Sequence, residues 1–190
     1  MTTSETRRAL ALVGMPGTGK TLCAQHLQAQ GFFQFRFGGI VVDEVVRRGW
    51  AINPRNEQIV REELRANEGM DVMAKRALPA LMTALAQHPC IIIDGLYSWS
   101  EYKTLTRDLN AELSVIAIVS PRRDRYARLA DRPERPLTWE EAEARDYREI
   151  EVLEKGGPIA MADYTLVNDH DATTLLTRLD ALVTALGCAP

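Results

Sequence analysis

Residues 14–21, Gly14-Met15-Pro16-Gly17-Thr18-Gly19-Lys20-Thr21, have the spacing GxxxxGK[ST]. Each residue type in that octapeptide answers a need of phosphate chemistry. Glycines let the backbone wrap with its N–H groups turned inward as an anion nest. A helix starting at the same place adds the positive end of its dipole. Lys20 is placed to reach the β- and γ-phosphates of a nucleoside triphosphate, and the Thr21 hydroxyl to ligate Mg²⁺. Magnesium keeps several waters and takes few protein oxygens. Asp94, at the end of the apolar run CIIID (90–94), is the second candidate ligand, acting through water. ATP and Mg²⁺ are the expected cofactors.

These residues need a scaffold, and the hydrophobic pattern predicts one. ALALV at 9–13 reads as a buried strand leading into the loop, and 20–30 as a helix stopped by Gly31. A short strand is expected at 33–37 and a helix at 40–48 ending at Gly49. Asn53-Pro54 forms an N-cap and first turn for a helix reaching Glu68. A further helix fits 70–87, with Pro79 kinking or dividing it. The runs 90–94 and 113–119 (LSVIAIV) are continuously apolar and rich in Ile and Val, as in strands covered on both faces of a parallel sheet. Thr138 and Glu141 have capping-box spacing for a helix to about Lys155. YTLV at 164–167 supplies a last strand, and the leucine stripe from Leu175 to Leu186 a last, core-packed helix. The alternation of strands and helices predicts one α/β domain with a parallel sheet.

Length and composition agree. The chain has 190 residues, 46% hydrophobic and 26% charged, with 23 basic and 26 acidic residues and a net charge of −3. One domain of that size buries a sufficient core without staples. The balance excludes a polyanion-binding or membrane-surface protein, so neither nucleic acid nor membrane is an expected partner. The start MTTSETRRALALVG lacks the pattern of a secretory signal, no apolar run is long enough to span a bilayer, and Cys23, Cys90 and Cys188 have no metal or disulfide spacing. A cytoplasmic location with free thiols is expected.

Six segments carry a resemblance: GMPGTGKT (14–21), LRANEGMDVMAKR (64–76), IIIDGLYSWSE (91–101), RYARLADRPER (125–135), RDYRE (145–149) and ADYTLVND (162–169). Together they span nearly the whole chain. It resembles the small nucleoside-monophosphate-kinase-like proteins, which include adenylate kinases and dephospho-CoA kinases. Within them it is similar to a mostly archaeal family of uncharacterised kinase-like proteins. The resemblance implies a P-loop NTPase fold with a five-stranded parallel sheet flanked by helices and a small mobile lid. It also implies ATP as donor and an acceptor held between helices at 39–88 and a lid at 122–148. Eight of the chain's 19 arginines lie in that lid region: Arg122, Arg123, Arg125, Arg128, Arg132, Arg135, Arg145 and Arg148. Guanidinium groups on a closing segment stabilise charge on a transferring phosphoryl group while excluding water. Arg128 and Arg132 are the expected catalytic arginines, with Arg128 also on the nucleotide, and Arg122 and Arg123 face solvent. A charged helical surface is the competing explanation, since seven acids share the stretch. Asn168 is expected either beside the nucleotide base or in a plain strand-end turn.

The chain departs from its relatives where they carry acceptor-clamping arginines. Gly39 and Val42 replace an Asp and an Arg after the second strand, and Tyr97 replaces an Arg after Asp94-Gly95-Leu96. A hydroxyl acceptor would benefit from a carboxylate base, for which Asp43 and Asp94 are candidates. Trp50, Tyr97, Trp99 and Tyr102 either line an aromatic acceptor pocket or pack internally. The expected function is ATP-dependent transfer of the γ-phosphoryl group to a nucleotide- or dephospho-CoA-like small molecule. The alternative is an ATP-binding switch or slow ATPase that has lost its acceptor.

Overall fold

The structure, a computed structural model, describes residues 7–133 and 135–190. Residues 1–6, the start of MTTSETRRALALVG, and Glu134 of the expected lid lie outside the described residues. In chain order the first half holds β1 (Arg8–Val13), α1 (Lys20–Ala29), β2 (Phe33–Arg36), α2 (Phe37–Arg47), α3 (Pro54–Glu68) and α4 (Val72–Gln87). The second half holds β3 (Cys90–Asp94), α5 (Trp99–Asp108), β4 (Glu112–Val119), α6 (Arg122–Ala130), α7 (Trp139–Glu151), α8 (Gly156–Ala160), β5 (Tyr164–Val167) and α9 (Ala172–Ala185).

The continuous apolar runs form the centre of a five-stranded parallel sheet in the order β2-β3-β1-β4-β5. Alternate residues of β1 feed two cores. Ala9, Ala11 and Val13 pack with α2, α3, α4 and α5, while Leu10 and Leu12 pack with α1 and α9. Both faces of the sheet are therefore covered, which is why these strands show no polar alternation. Register sets the position of the chemistry: Leu12 and Arg36 both stand level with Asp94. The phosphate loop after β1, the β3 carboxylate and the end of β2 thus open on one edge, the usual ligand edge of an open α/β sheet.

Local signals placed several boundaries. Asn53 Oδ1 accepts the Asn56 N–H at 2.9 Å, and Pro54 opens α3. Thr138 and Glu141 form the reciprocal capping box of α7. Other boundaries moved. Phe37 starts α2 instead of ending β2, because its ring is buried against the core. The helix of α4 begins at Val72 and runs through Pro79 undivided, with that ring on the exposed side. Helix α7 ends at Glu151, short of the expected Lys155, and Gly156 and Gly157 open α8 instead of stopping it; a Cβ on Gly157 would stand 2.8 Å from the Trp99 ring. Among the described residues no helix is long and apolar enough to cross a membrane.

Candidate functional site

The phosphate loop is held from both sides. Thr18 Oγ1 donates to Met15 O at 2.9 Å, closing the turn internally. Gly17 has φ +81, and a Cβ there would meet Arg125 O of α6 at 2.7 Å. Gly19 has φ +102 and lies so near Asn168 that a Cβ would meet its Nδ2 at 2.8 Å. Both glycines therefore satisfy a left-handed backbone and a close approach at once. Lys20 Nζ donates to Gly14 O at 2.6 Å and Met15 O at 3.2 Å. Burial, together with the nearby Lys155, pushes the Lys20 ammonium down to about 7, against the pull of Glu149 and Asp94. It is a cation held on neutral carbonyls at the mouth of an anion nest. Thr21, in the first turn of α1, is exposed.

Asp94 uses one oxygen on its neighbours. Oδ2 accepts from Gln34 Nε2 at 3.1 Å and lies 3.7 Å from Arg36 Nε. Oδ1 has no hydrogen-bond partner among the described residues. Burial raises the carboxyl above its ordinary range, although Arg36 and Lys20 oppose this. One free carboxylate oxygen and one hydroxyl, both hard donors, match the sparse protein ligation that Mg²⁺ accepts beside phosphates and water. Gln34 and Arg36, which orient Asp94, carried no motif and went unseen in the sequence.

The arginines at 122–148 divide by burial. Arg125 is buried and forks onto Asp146, with contacts of 3.1 and 2.5 Å, while also donating to Pro16 O of the loop at 3.0 Å. Tyr126 Oη donates to the same carboxylate at 3.1 Å. Arg128 donates to Ser120 Oγ at 2.8 Å, Asn168 O at 3.2 Å and Gly17 O at 3.4 Å. Asn168 in turn donates from Nδ2 to Thr18 O at 2.8 Å and from its backbone N–H to Val119 O. Arg128 and Asn168 thus tie the ends of β4 and β5 to the phosphate loop, a fastening that neither sequence expectation for Asn168 contained. Arg132 is exposed, with no hydrogen bond or ion pair among the described residues, and partial burial beside Arg145 lowers its pKa. Arg122 and Arg123 are exposed, Arg122 lying 6.0 Å from both the Tyr126 and Trp139 ring centres.

Two cavities lie on the acceptor side. The smaller, about 150 Å³, is bounded by Phe37, Val41, Met73 and Tyr97 with Arg61, Arg65, Arg145 and Glu149. The larger, about 600 Å³, shares those four charged residues and extends to Arg135 and Arg148. Arg61 and Arg65 of α3 were missed in the sequence. Their i, i+4 spacing beside the buried Val60 and Leu64 was the available signal. Behind the smaller cavity Lys155 is buried, paired to Glu149, with its Nζ 4.8 Å from the Tyr97 ring centre. Burial alone would raise Glu149, but Lys155 and Arg145 outweigh it and hold the carboxyl down. Burial pushes the Tyr97 phenol up to about 12.

Of the other aromatic candidates, Trp50 is exposed beside Arg48, and Trp99 stacks on Tyr102 with centroids 5.0 Å apart. Of the four, Tyr97 lines the smaller of these two cavities, and the other three line neither. Asp43 is exposed and Val42 half-buried, and neither lines a cavity.

A phosphate loop after β1 of a five-stranded parallel sheet, with helices on both faces, defines a P-loop kinase-like fold. The AAA domain family matches residues 10–149. A UPF0200 protein of Thermococcus gammatolerans is 35% identical over 175 residues, covering 90% of this chain and 92% of its own. The chain belongs to the AAA domain family and, more narrowly, to the UPF0200 proteins, the archaeal kinase-like group implied by its motifs. Among solved structures, TT1252 from Thermus thermophilus superposes with a TM-score of 0.67 at 19% identity, covering 95% of this chain and 98% of that one. Shikimate kinase from Acinetobacter baumannii, in complex with shikimate, gives 0.57 at 16% identity, covering 96% and 94%. These likenesses establish the fold.

Proposed function

We propose that this chain transfers the γ-phosphoryl group of ATP to a small-molecule acceptor held between α2, α3 and α7. The observation that carries this is the continuity of charge from loop to cavity. Arg145 and Glu149 line both cavities, and Asp146 between them on α7 is joined through Arg125 to Pro16 O of the phosphate loop. Free backbone N–H groups of the loop and the start of α1 bind the donor's phosphates. Lys20 leaves its carbonyl partners for the β- and γ-phosphates, where its charge opposes the charge that develops in transfer. Thr21 and Asp94, the latter through water, would hold Mg²⁺, which supplies charge neutralisation of the phosphates. Arg128 and Asn168 keep the loop in shape. Arg132, unpaired among the described residues and close enough to Arg145 to feel its charge, is the catalytic arginine that closes over the transferring group. Phosphate acceptors need positioning more than deprotonation, which suits a site whose one spare carboxylate is committed to the metal.

The switch reading draws on Val42 and Tyr97, which stand where relatives have arginines. Arg61, Arg65 and Arg145 restore positive charge from other elements, and this favours transfer. Lys20→Ala is expected to lower ATP-dependent transfer by about a hundredfold or more with an unchanged melting temperature. Equal transfer by variant and wild type would overturn the proposal. So would ATP turnover that a pool of cell metabolites does not stimulate.

A further inference from the structure

The acceptor cavities carry more positive charge than the surrounding fold neutralises. Three arginines and one glutamate line the smaller cavity, and five arginines and three glutamates the larger, so each sums to +2 among the described residues. Behind the lining stand one cation and one anion, Lys155 against Glu149 and Glu101 against Arg65, and these two offset each other. Arg65 is the telling member. Its side chain is only 10% exposed, its Nε has no hydrogen-bond partner, and its closest carboxylate oxygen, Glu101 Oε1, stands 3.6 Å from Nη2 and is itself without a hydrogen bond. Burial lowers its pKa, with Glu101 opposing. A guanidinium this deeply placed, with its nearest carboxylate no closer than 3.6 Å, is short of acceptor oxygens, which a ligand anion in the cavity would supply. Arg61 makes no hydrogen bond or ion pair among the described residues, and Arg145 commits only Nε, to Glu149 at 3.1 Å. Helices α3 and α7 therefore present three under-used guanidinium groups to one cavity.

Resting on the kinase reading above, we propose that the acceptor is a phosphate monoester whose dianion is held by Arg61, Arg65 and Arg145, with a sugar-like body in place of a nucleobase. A dianion matches the +2 of the cavity, and a phosphate offers three oxygens to three planar forks where a carboxylate offers two. The body occupies the larger cavity, which continues from the smaller through the same arginines. No residue lining it is aromatic among those described, so it has no ring on which a base would stack. Glu57, Gln58 and Glu62 offer acceptors and a donor to hydroxyl groups instead. Asp146, next to Arg145 on α7, is tied through Arg125 to Pro16 O of the phosphate loop, so the phosphate end faces the donor. An oxygen of the bound dianion then bonds to the γ-phosphorus of ATP. The bond from that phosphorus to the β–γ bridging oxygen breaks, and ADP leaves with the electron pair. The product is a phosphoanhydride. The dianion arrives deprotonated, so no base is required.

Equilibrium binding to the full chain, kept saturated with ADP and Mg²⁺ so that the phosphate loop is filled, tests this directly. The probes are inorganic phosphate, ribose 5-phosphate, glucose 6-phosphate, ribose and AMP. At least one sugar phosphate should bind about tenfold or more tighter than ribose, and AMP no tighter than that sugar phosphate. Arg61→Gln and Arg145→Gln, at half-exposed positions, should each weaken that binding about tenfold at an unchanged melting temperature. Failure of every phosphate probe, no sugar phosphate binding tenfold tighter than ribose, AMP binding tighter than every sugar phosphate, or either variant failing to weaken the binding would overturn the assignment. The kinase reading fails separately: sugar-phosphate binding without any transfer leaves this site standing, whereas transfer to a neutral polyol leaves the kinase standing and removes the site.

Discussion

Arg125 and Asp146 are a buried pair with a mechanical task. Side chains 7% and 8% exposed face each other while the guanidinium also donates to Pro16 O, so α6, α7 and the phosphate loop meet at one charge. Removing one partner of such a pair strands the other in a poorly solvated place. Asp146→Ala is expected to cost roughly 3–5 kcal/mol of unfolding free energy, read by denaturant titration, and to weaken ATP binding as the loop loosens. A loss below about 1 kcal/mol would show that the pair behaves as an exposed one. This role was not legible in the sequence, because Arg122, Arg123, Arg125 and Arg128 crowd one short run and only the packing of α7 decides which is buried. Lys20, Thr21 and Asp94 were legible, since a loop motif and a strand end are local facts.

Helix α2 follows a strand without a connecting loop, and Glu44 on its inner side gathers Arg47 at 2.6 Å and Arg48 at 2.8 Å. Those hydrogen bonds, chiefly from Arg47 and then Arg48, hold the Glu44 carboxyl at about 2, below its ordinary 4.5. A depressed carboxylate contributes stability above its unfolded pKa and loses it as pH falls toward the folded value. The melting-temperature gap between wild type and Glu44→Gln should therefore be widest near neutral pH and shrink steadily from about pH 4.5 downward. A gap constant from pH 3 to 7 would contradict the assignment. At this scale the sequence was a good guide where end signals are chemical, as at Asn53, Pro54, Thr138 and Glu141. It was a poor guide at Phe37, whose ring is buried, and at Pro79, whose exposed ring leaves α4 undivided. Arg61 and Arg65 show the same division: periodicity put them on one edge of α3, but nothing local said that α7 stands opposite.

Across the whole molecule the strand order β2-β3-β1-β4-β5 explains why distant motifs converge. The central strand carries the loop, its neighbour carries Asp94, and the helices on the same side of the sheet leave space that α7 closes. A chain with net charge −3 nevertheless concentrates +2 around each acceptor cavity, so the overall balance said nothing about the local field. The likeness to relatives foretold the fold and the place of the phosphate loop in it, while the replacements at Val42 and Tyr97 left the acceptor side to be read from three dimensions. The most direct measurement is a single turnover with ATP labelled in its γ-phosphoryl group, with the cell's small molecules supplied as a mixture. The label is predicted to move onto an organic phosphate in a reaction that Lys20→Ala stops. Label recovered only as inorganic phosphate, at a rate the mixture does not change, would contradict it.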